Sequence, residues 1–493
     1  MEQQEFYVRN GQSWGSDSVP VLEEGPFRQR ILEGCSRGAR LVDLFGRLEN
    51  GNIRVFAMLG MDQDGKISVF SMRVPSAKSC FRSLTPELPQ AHLFEREMAE
   101  QFALTPLGHP WLKPVRYHAD HRDGDYPFYQ AQGEEAHEVA VGPVHAGIIE
   151  PGHFRFQCHG EEILNLEIRL GYQYRGIETL MEGASPEKAV LLAESIAGDT
   201  VIGHATAYCN AIESLIDREI SPRAGAIRAV ALELERLSNH VGDLGALSTD
   251  IGFLPAAAYF GRLRGEFLNL LMELSGNRYG RSLCRPGGVL FDLDRKMAAG
   301  FRRRLLVARR DLKEISDLFF TRSSVLSRLE GTGVISNRTA KELGLVGPTV
   351  RACGCGLDVR TDYAFGMYRF LNIPISTVLS GDVYARAFIR WLESQRSIDF
   401  LLEVLNQVPE GELYLKAPSL KPDQMALSMV EGWRGEIVHV AMTDSHSRIA
   451  RYKIKDPSFN NWAGLEMAVR GAQISDFPLC NKSFNLSYAG HDL

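Results

Sequence analysis

The sequence predicts an α+β protein: an N-terminal α/β domain with an antiparallel sheet, then a mainly α-helical body with small peripheral sheets. Three observations carry this. Three runs between residues 40 and 74 alternate apolar and polar side chains, separated by Asn50-Gly51 and Asp64-Gly65, pairs that supply the positive φ of hairpin turns. From Pro222 onward, Ile227, Val230, Leu234, Leu237, Val241 and Leu244 recur at steps of three and four, the stripe of a helix buried along one side. After Glu431, strand-like alternation returns in GEIVHVAMTD and RYKIKD.

At 493 residues the chain exceeds one ordinary domain. Its 44% hydrophobic and 24% charged content are those of a soluble globular protein. A net charge of -6 and a pI near 6.2 exclude nucleic acid as the main partner, since phosphate binding needs a net basic face. No run of about 18 apolar residues reads as a membrane span, and the acidic start MEQQEF is not a signal peptide. Work at a membrane would therefore require other subunits to hold the chain there. The eight cysteines are scattered and contain no CxxC, so they form neither a disulfide framework nor a zinc pattern. Cys353 and Cys355 alone lie close together, and two thiolates without neighbours read as structural.

In chain order, Arg40 to Leu48, Ile53 to Leu59 and Lys66 to Val74 form an antiparallel meander. A helix over Leu93 to Leu104 ends before Pro106 and Gly108, and an irregular aromatic arm follows, through GHPWLKPVRYH and DGDYPFYQ. Residues 1–130 read as one domain, 131–138 as a linker with little to bury, and 139–493 as the body. The body opens on GPVHAGIIEPGHFRF, a loop carrying His145, Glu150 and His153, followed by two alternating segments and a tight turn at Arg175, Gly176 and Glu178. Ser185-Pro186 and Ser221-Pro222 each mark a helix start, an N-cap followed by proline at the first helical position. On the second helix, Glu233, Arg236, His240 and Asp243 form a titratable row: either a proton relay or a paired, solvated or subunit-facing edge. Two further helices flank the glycine-rich crossing NRYGRSLCRPGGVLFDL, and another covers Asp382 to Val408.

EREMAEQFALTPLGHPWL resembles the small hydrophilic subunit of respiratory complex I that carries an ERE motif and a GHP turn, through Glu95, Arg96, Glu97, Gly108, His109 and Pro110. The resemblance implies a docking domain; read from the residues alone, the same charges are a solvated helix face with local ion pairs. Over residues 140–493 the chain resembles the large subunit of nickel-iron hydrogenases of the complex I-like, membrane-associated (group 4) kind. It is equally similar in kind to the homologous quinone-module subunit of complex I. The similarity rests on ESIAGDTVIGHATAY, RAVALELERLSNHVGDLG, NRYGR with PGGV, RACG with LDVR, RGEIVH, and DFPLCNKSFNLSYAGHDL.

In that hydrogenase family each of two CxxC segments supplies two thiolates to nickel, which soft sulfur suits. Aligned on the family, Ala197, Thr200, Ser487 and Gly490 occupy the four ligand positions, and none is cysteine. The resemblance therefore implies that the metal centre is lost and that no cofactor is bound by this chain, though a quinone is an alternative. The chain end, three residues past Gly490, is consistent with a protein that needs no clipped extension. Arg434 matches the arginine that overhangs the metal, with Trp433 in place of the usual proline, and Asn485 stands where aspartate is typical. Glu150 matches the proton-passing carboxylate, as a relay or as a structural cap of its loop. His145 matches the loop histidine of the quinone pocket, and Tyr174 takes the place of the histidine in the usual HRG turn.

The resemblance implies an oxidoreductase-complex subunit of the NADH dehydrogenase and hydrogenase class. The expected partners are a complex I-type iron-sulfur small subunit holding the cluster, a ferredoxin-like iron-sulfur subunit and antiporter-like membrane subunits. The expected place is the inner face of the cytoplasmic membrane, in electron transport coupled to proton or other ion translocation. Alternatives are a quinone-reducing subunit and a ligand-free scaffold.

Overall fold

The structure is a computed structural model; it describes residues 5–76, 79–116, 126–133, 135–145, 149–416 and 418–493. Part of the aromatic arm and residues 146–148 of the loop between His145 and Glu150 lie outside the described residues.

The meander forms as expected, with strands Arg40–Glu49, Asn52–Met61 and Lys66–Pro75 in register from Glu49↔Asn52 and Met61↔Lys66 outward. Asn50, Gly51 and Gly65 take the positive φ values that the turns require. One face of this sheet is covered by helix Glu24–Ser36, which no sequence pattern singled out, through Phe27 and Ile31. The helix at His92–Phe102 closes the same core with Phe94 and Met98.

Its ERE motif is buried, which corrects the solvated-face reading. Glu95 is 0% exposed and accepts hydrogen bonds from the Leu84 N–H at 2.6 Å and the Thr85 hydroxyl at 2.7 Å. Arg96 donates to the carbonyl oxygens of Lys113 and Pro114. Glu97 reaches across to Lys453 of the body at 2.7 Å and also pairs with Arg116 of its own domain. The reason is spacing: three consecutive helical residues point in three directions, so each fixes a different neighbour.

The segment expected to be a linker is partly strand. Ala136–Val141 pairs antiparallel with His153–His159, which pairs in turn with Glu162–Arg169. Within the body, helix Pro222–Asp250 lies against Leu254–Ser275 and Val383–Val404, and helix Arg295–Thr321 against Leu254–Ser275. Helix Val201–Ile216 lies on a four-stranded sheet of Gln424–Gly432, Gly435–Thr443, Ile449–Lys455 and a strand from the far N-terminus, Ser13–Gly15. Asn10 secures that N-terminal strand, its amide donating to the carbonyl oxygens of Tyr363 and Met429 while its Oδ1 accepts from the Met429 N–H. Every residue of Gly435–Thr443 is buried, so this sheet lies inside the molecule. Burial on both faces also explains why QMALSMVEG shows no alternation to mark it as a strand.

Candidate functional site

Two segments remote in sequence meet at the centre of the body. The first ends at Thr200, the N-cap of helix Val201–Ile216; the second begins at Ser487, the N-cap of the short helix Tyr488–Asp492, whose hydroxyl accepts from the Gly490 N–H at 2.9 Å. Two arginines tie the segments together. One guanidinium nitrogen of Arg175 donates to the carbonyl oxygens of both Ile196 and Ala489, at 2.9 and 3.1 Å. Arg434 grips Asp199 through both carboxylate oxygens, at 2.6 and 2.8 Å, and donates to the carbonyl of Asn485. Such a two-toothed pair fixes orientation as well as charge. Burial alone would raise the Asp199 carboxyl, but Arg434 outweighs it and holds the group below its ordinary range.

The four positions aligned with metal ligands lie at this junction, and the space beside Thr200 and Gly490 is occupied. Ala197 is fully buried. The Thr200 hydroxyl accepts from the Trp433 indole N–H at 3.1 Å and from Arg434 at 3.2 Å, while the Arg434 guanidinium stacks 3.9 Å above the Trp433 ring. A Cβ at Gly490 would lie 2.7 Å from the Asp456 carboxylate. Any side chain at position 490 would therefore meet a carboxylate. An alanine, two hydroxyls and a glycine give no thiolate, and hydroxyls stay protonated near neutral pH, so this donor set does not suit a nickel-iron centre. Among the described residues, no group of three or more His, Cys, Asp or Glu is arranged to hold a metal ion.

Asp456 begins a buried chain that sequence reasoning missed. His204 Nε2 lies 3.0 Å from Asp456 Oδ2, His204 Nδ1 lies 3.1 Å from His439 Nε2, and His439 Nδ1 lies 2.8 Å from the Tyr452 hydroxyl. An ionised Asp456 fixes the tautomers: each histidine donates from Nε2 and accepts at Nδ1, and Tyr452 donates. His204 lies within the quoted segment ESIAGDTVIGHATAY, but nothing near Asp456 in sequence announces its role.

Glu150 lines an open cleft of about 860 Å³ together with Asp199, Ser487, Arg264, Arg278 and Arg281. One Glu150 oxygen accepts from the Tyr488 N–H at 3.1 Å, and burial raises its carboxyl despite the opposing field of Arg434. Both open readings of Glu150, cap and proton carrier, keep support. His145 turns back into its own loop, with Nε2 2.8 Å from the Gly152 carbonyl oxygen. Tyr174 lines a different cleft, of about 370 Å³, with Arg116, Glu178 and Arg451. The structure brings together Glu150, Arg434, Thr200 and Ser487, while His145 bonds within its own loop and Tyr174 lines the second cleft.

Known proteins resemble this chain in sequence and in fold. Formate hydrogenlyase subunit 5 of Escherichia coli is 30% identical to this chain across 97% of the chain and 89% of the relative. The chain belongs to the family of complex I-type and group 4 hydrogenase-type large subunits. A family model described as "Respiratory-chain NADH dehydrogenase, 49 Kd subunit" matches residues 250–426 and 416–492. A component of the NADH-quinone oxidoreductase of Chloroherpeton thalassium is 30% identical over 70% of this chain and 84% of its own length. Among solved structures, a chain of the membrane-bound sulfane sulfur reductase, described as an archaeal respiratory membrane complex, superposes with a TM-score of 0.69. It is 25% identical and is covered completely, over 74% of this chain. The formate hydrogenlyase match spans both parts of the chain, so the family includes members with a like two-part extent.

Proposed function

We propose that this chain is the large subunit of a membrane-associated, complex I-like assembly and works there without a nickel-iron centre. The observation that carries this reading is the filling of the ligand positions: Trp433 and Arg434 bond to Thr200, and the Asp456 carboxylate takes the space beside Gly490. The relatives are named for formate, quinone and sulfane sulfur in turn, so the shared fold does not decide the reaction and the site must.

In this reading the chain sits on an iron-sulfur small subunit of complex I type, fed by a ferredoxin-like iron-sulfur subunit. It passes redox or conformational change to antiporter-like, ion-translocating membrane subunits. No helix among the described residues is long and apolar enough to cross a membrane, so partner subunits would hold the chain at the cytoplasmic face. A quinone-reducing role has weaker support, because His145 and Tyr174 do not converge on one cavity.

The test is elemental analysis of the purified complex together with hydrogen uptake using an artificial dye. The expected outcome is nickel far below one per large subunit, iron accounted for by the iron-sulfur subunits, and no uptake. Stoichiometric nickel with uptake would overturn the proposal. Quinone titration of the same complex separates the quinone-reducing role from a metal-free coupling subunit.

A further inference from the structure

The cleft beside Gly198 carries more cationic donors than the protein itself uses. Arg264, Arg278 and Arg281 line it, and among the described residues none of them is in an ion pair with a carboxylate. Pairing is the rule nearby: Arg262 binds Asp311 at 2.6 Å, and Arg304 binds Glu266 and Glu273 at 3.2 and 3.0 Å. Arg264 is also placed by packing, since a Cβ on Gly242 of the long helix would lie 2.9 Å from its Cδ.

The acids on the cleft wall do not answer these charges. Asp199 is already gripped through both oxygens by Arg434, and Glu150 accepts from the Tyr488 N–H. Two neutral side chains add donors: the Ser487 hydroxyl accepts from Gly490 and so keeps its own proton to give. Asn277 Oδ1 accepts from the Tyr279 N–H at 2.9 Å, which leaves its amide NH2 as a donor.

We propose that this cleft is a binding site for a small organic oxyanion, a carboxylate or a phosphate ester, held by Arg264, Arg278 and Arg281 with Ser487 and Asn277 as neutral donors. Guanidinium forks match the two oxygens of either group. The volume of about 860 Å³ exceeds what a bare anion needs and leaves room for an organic body. The site stands whether or not the four neighbouring positions hold metal, so its failure and that of the metal-free reading are separate results.

The experiment is calorimetric titration of the purified complex with succinate and with inorganic phosphate in low-salt buffer, which also tells carboxylate from phosphate. Saturable binding of one of them is expected, weakened about tenfold by Arg281→Gln, as loss of one charge-assisted hydrogen bond predicts. A larger loss is expected when Arg278→Gln is added. Gly198→Leu, at a position where a Cβ meets nothing within 4 Å, keeps every charge but plugs the cleft, and should abolish binding. Arg304→Gln, a paired arginine outside the cleft, should leave it unchanged. Complex assembly and the unfolding midpoint of each variant establish that it is folded. Binding of neither probe, or binding indifferent to both the arginine and the Gly198 substitutions, overturns the proposal.

Discussion

At Gly490 a missing side chain and a neighbouring carboxylate are two halves of one arrangement. A cysteine placed there puts its Cβ 2.7 Å from Asp456, so Gly490→Cys should destabilise the fold by about 1–3 kcal/mol, the usual cost of overpacking. Pairing it with Asp456→Ala should recover part of that loss, because the two changes share one space. Denaturant titration of the single and double variants measures the coupling, and strict additivity would show that the two positions do not compete. A second residue-scale prediction concerns His109 of the GHP turn. Its Nδ1 accepts from the Trp111 N–H and its Nε2 faces the His92 carbonyl oxygen, an arrangement only the neutral ring satisfies. Burial accordingly pushes its pKa down to about 4. The unfolded chain then binds a proton near pH 6.5 that the folded chain refuses, so stability is full above that pH and falls as pH drops toward 4. The loss attributable to this one group is up to roughly 3 kcal/mol. A His109→Gln variant should show a flatter acid limb in pH-dependent unfolding; an unchanged limb would remove His109 as its cause.

At the scale of elements, the long helix Pro222–Asp250 shows both the reach and the limit of sequence reading. Its existence, its Ser221 cap, which accepts from the Ala224 N–H, and its apolar stripe were legible because periodicity of 3.6 survives in any window. The row Glu233, Arg236, His240 and Asp243 was legible as a row, read as a proton relay or as a paired, solvated or subunit-facing edge; its members are paired, but in the interior rather than at a solvated edge. All four are buried: Glu233 meets Arg360 and Tyr368, His240 meets Glu393 at 2.9 Å, and Asp243 meets Arg390 at 2.6 Å. Their partners come from residues more than a hundred positions away, which no local pattern encodes. The same limit hid Asp199 and Asp456, while the arginines of NRYGR were visible as a motif without a destination. Arg390→Ala should cost about 3–5 kcal/mol, because it strands the Asp243 carboxylate in the interior. Lys313→Ala, which breaks an exposed pair with Asp317, should cost under about 1 kcal/mol. Comparable losses in urea titrations would mean that Asp243 reaches water or another partner.

Across the whole molecule, the two parts read from the sequence are joined by buried charge. Lys453 of the body bridges Glu97 of the small domain and Glu178 of the tight turn, and Lys455 and Arg40 share Glu436. Sequence composition marks residues 131–138 as a place to cut, yet separating the parts there would break the Glu97–Lys453 and Arg40–Glu436 pairs and expose buried charge on both sides. Residues 139–493 expressed alone should therefore aggregate or melt well below the full chain, and co-expression with 1–130 should restore a single transition. A body that melts unchanged by itself would show the interface to be energetically idle.

Asn10 and Met429 hold each other across 419 residues of chain. A ribosome makes the first strand of the inner sheet, Ser13–Gly15, long before its partner Gln424–Gly432 exists. Ser13–Gly15 must therefore wait without its sheet partner while some four hundred residues are made, although Tyr7–Val8 beside it can pair early with Ile67 and Ser68. Such distant closure is slow and exposes an unpaired strand edge meanwhile. Completion of the inner sheet is thus held back until Gln424–Gly432 has been made, and Ser13–Gly15 closes on it only then.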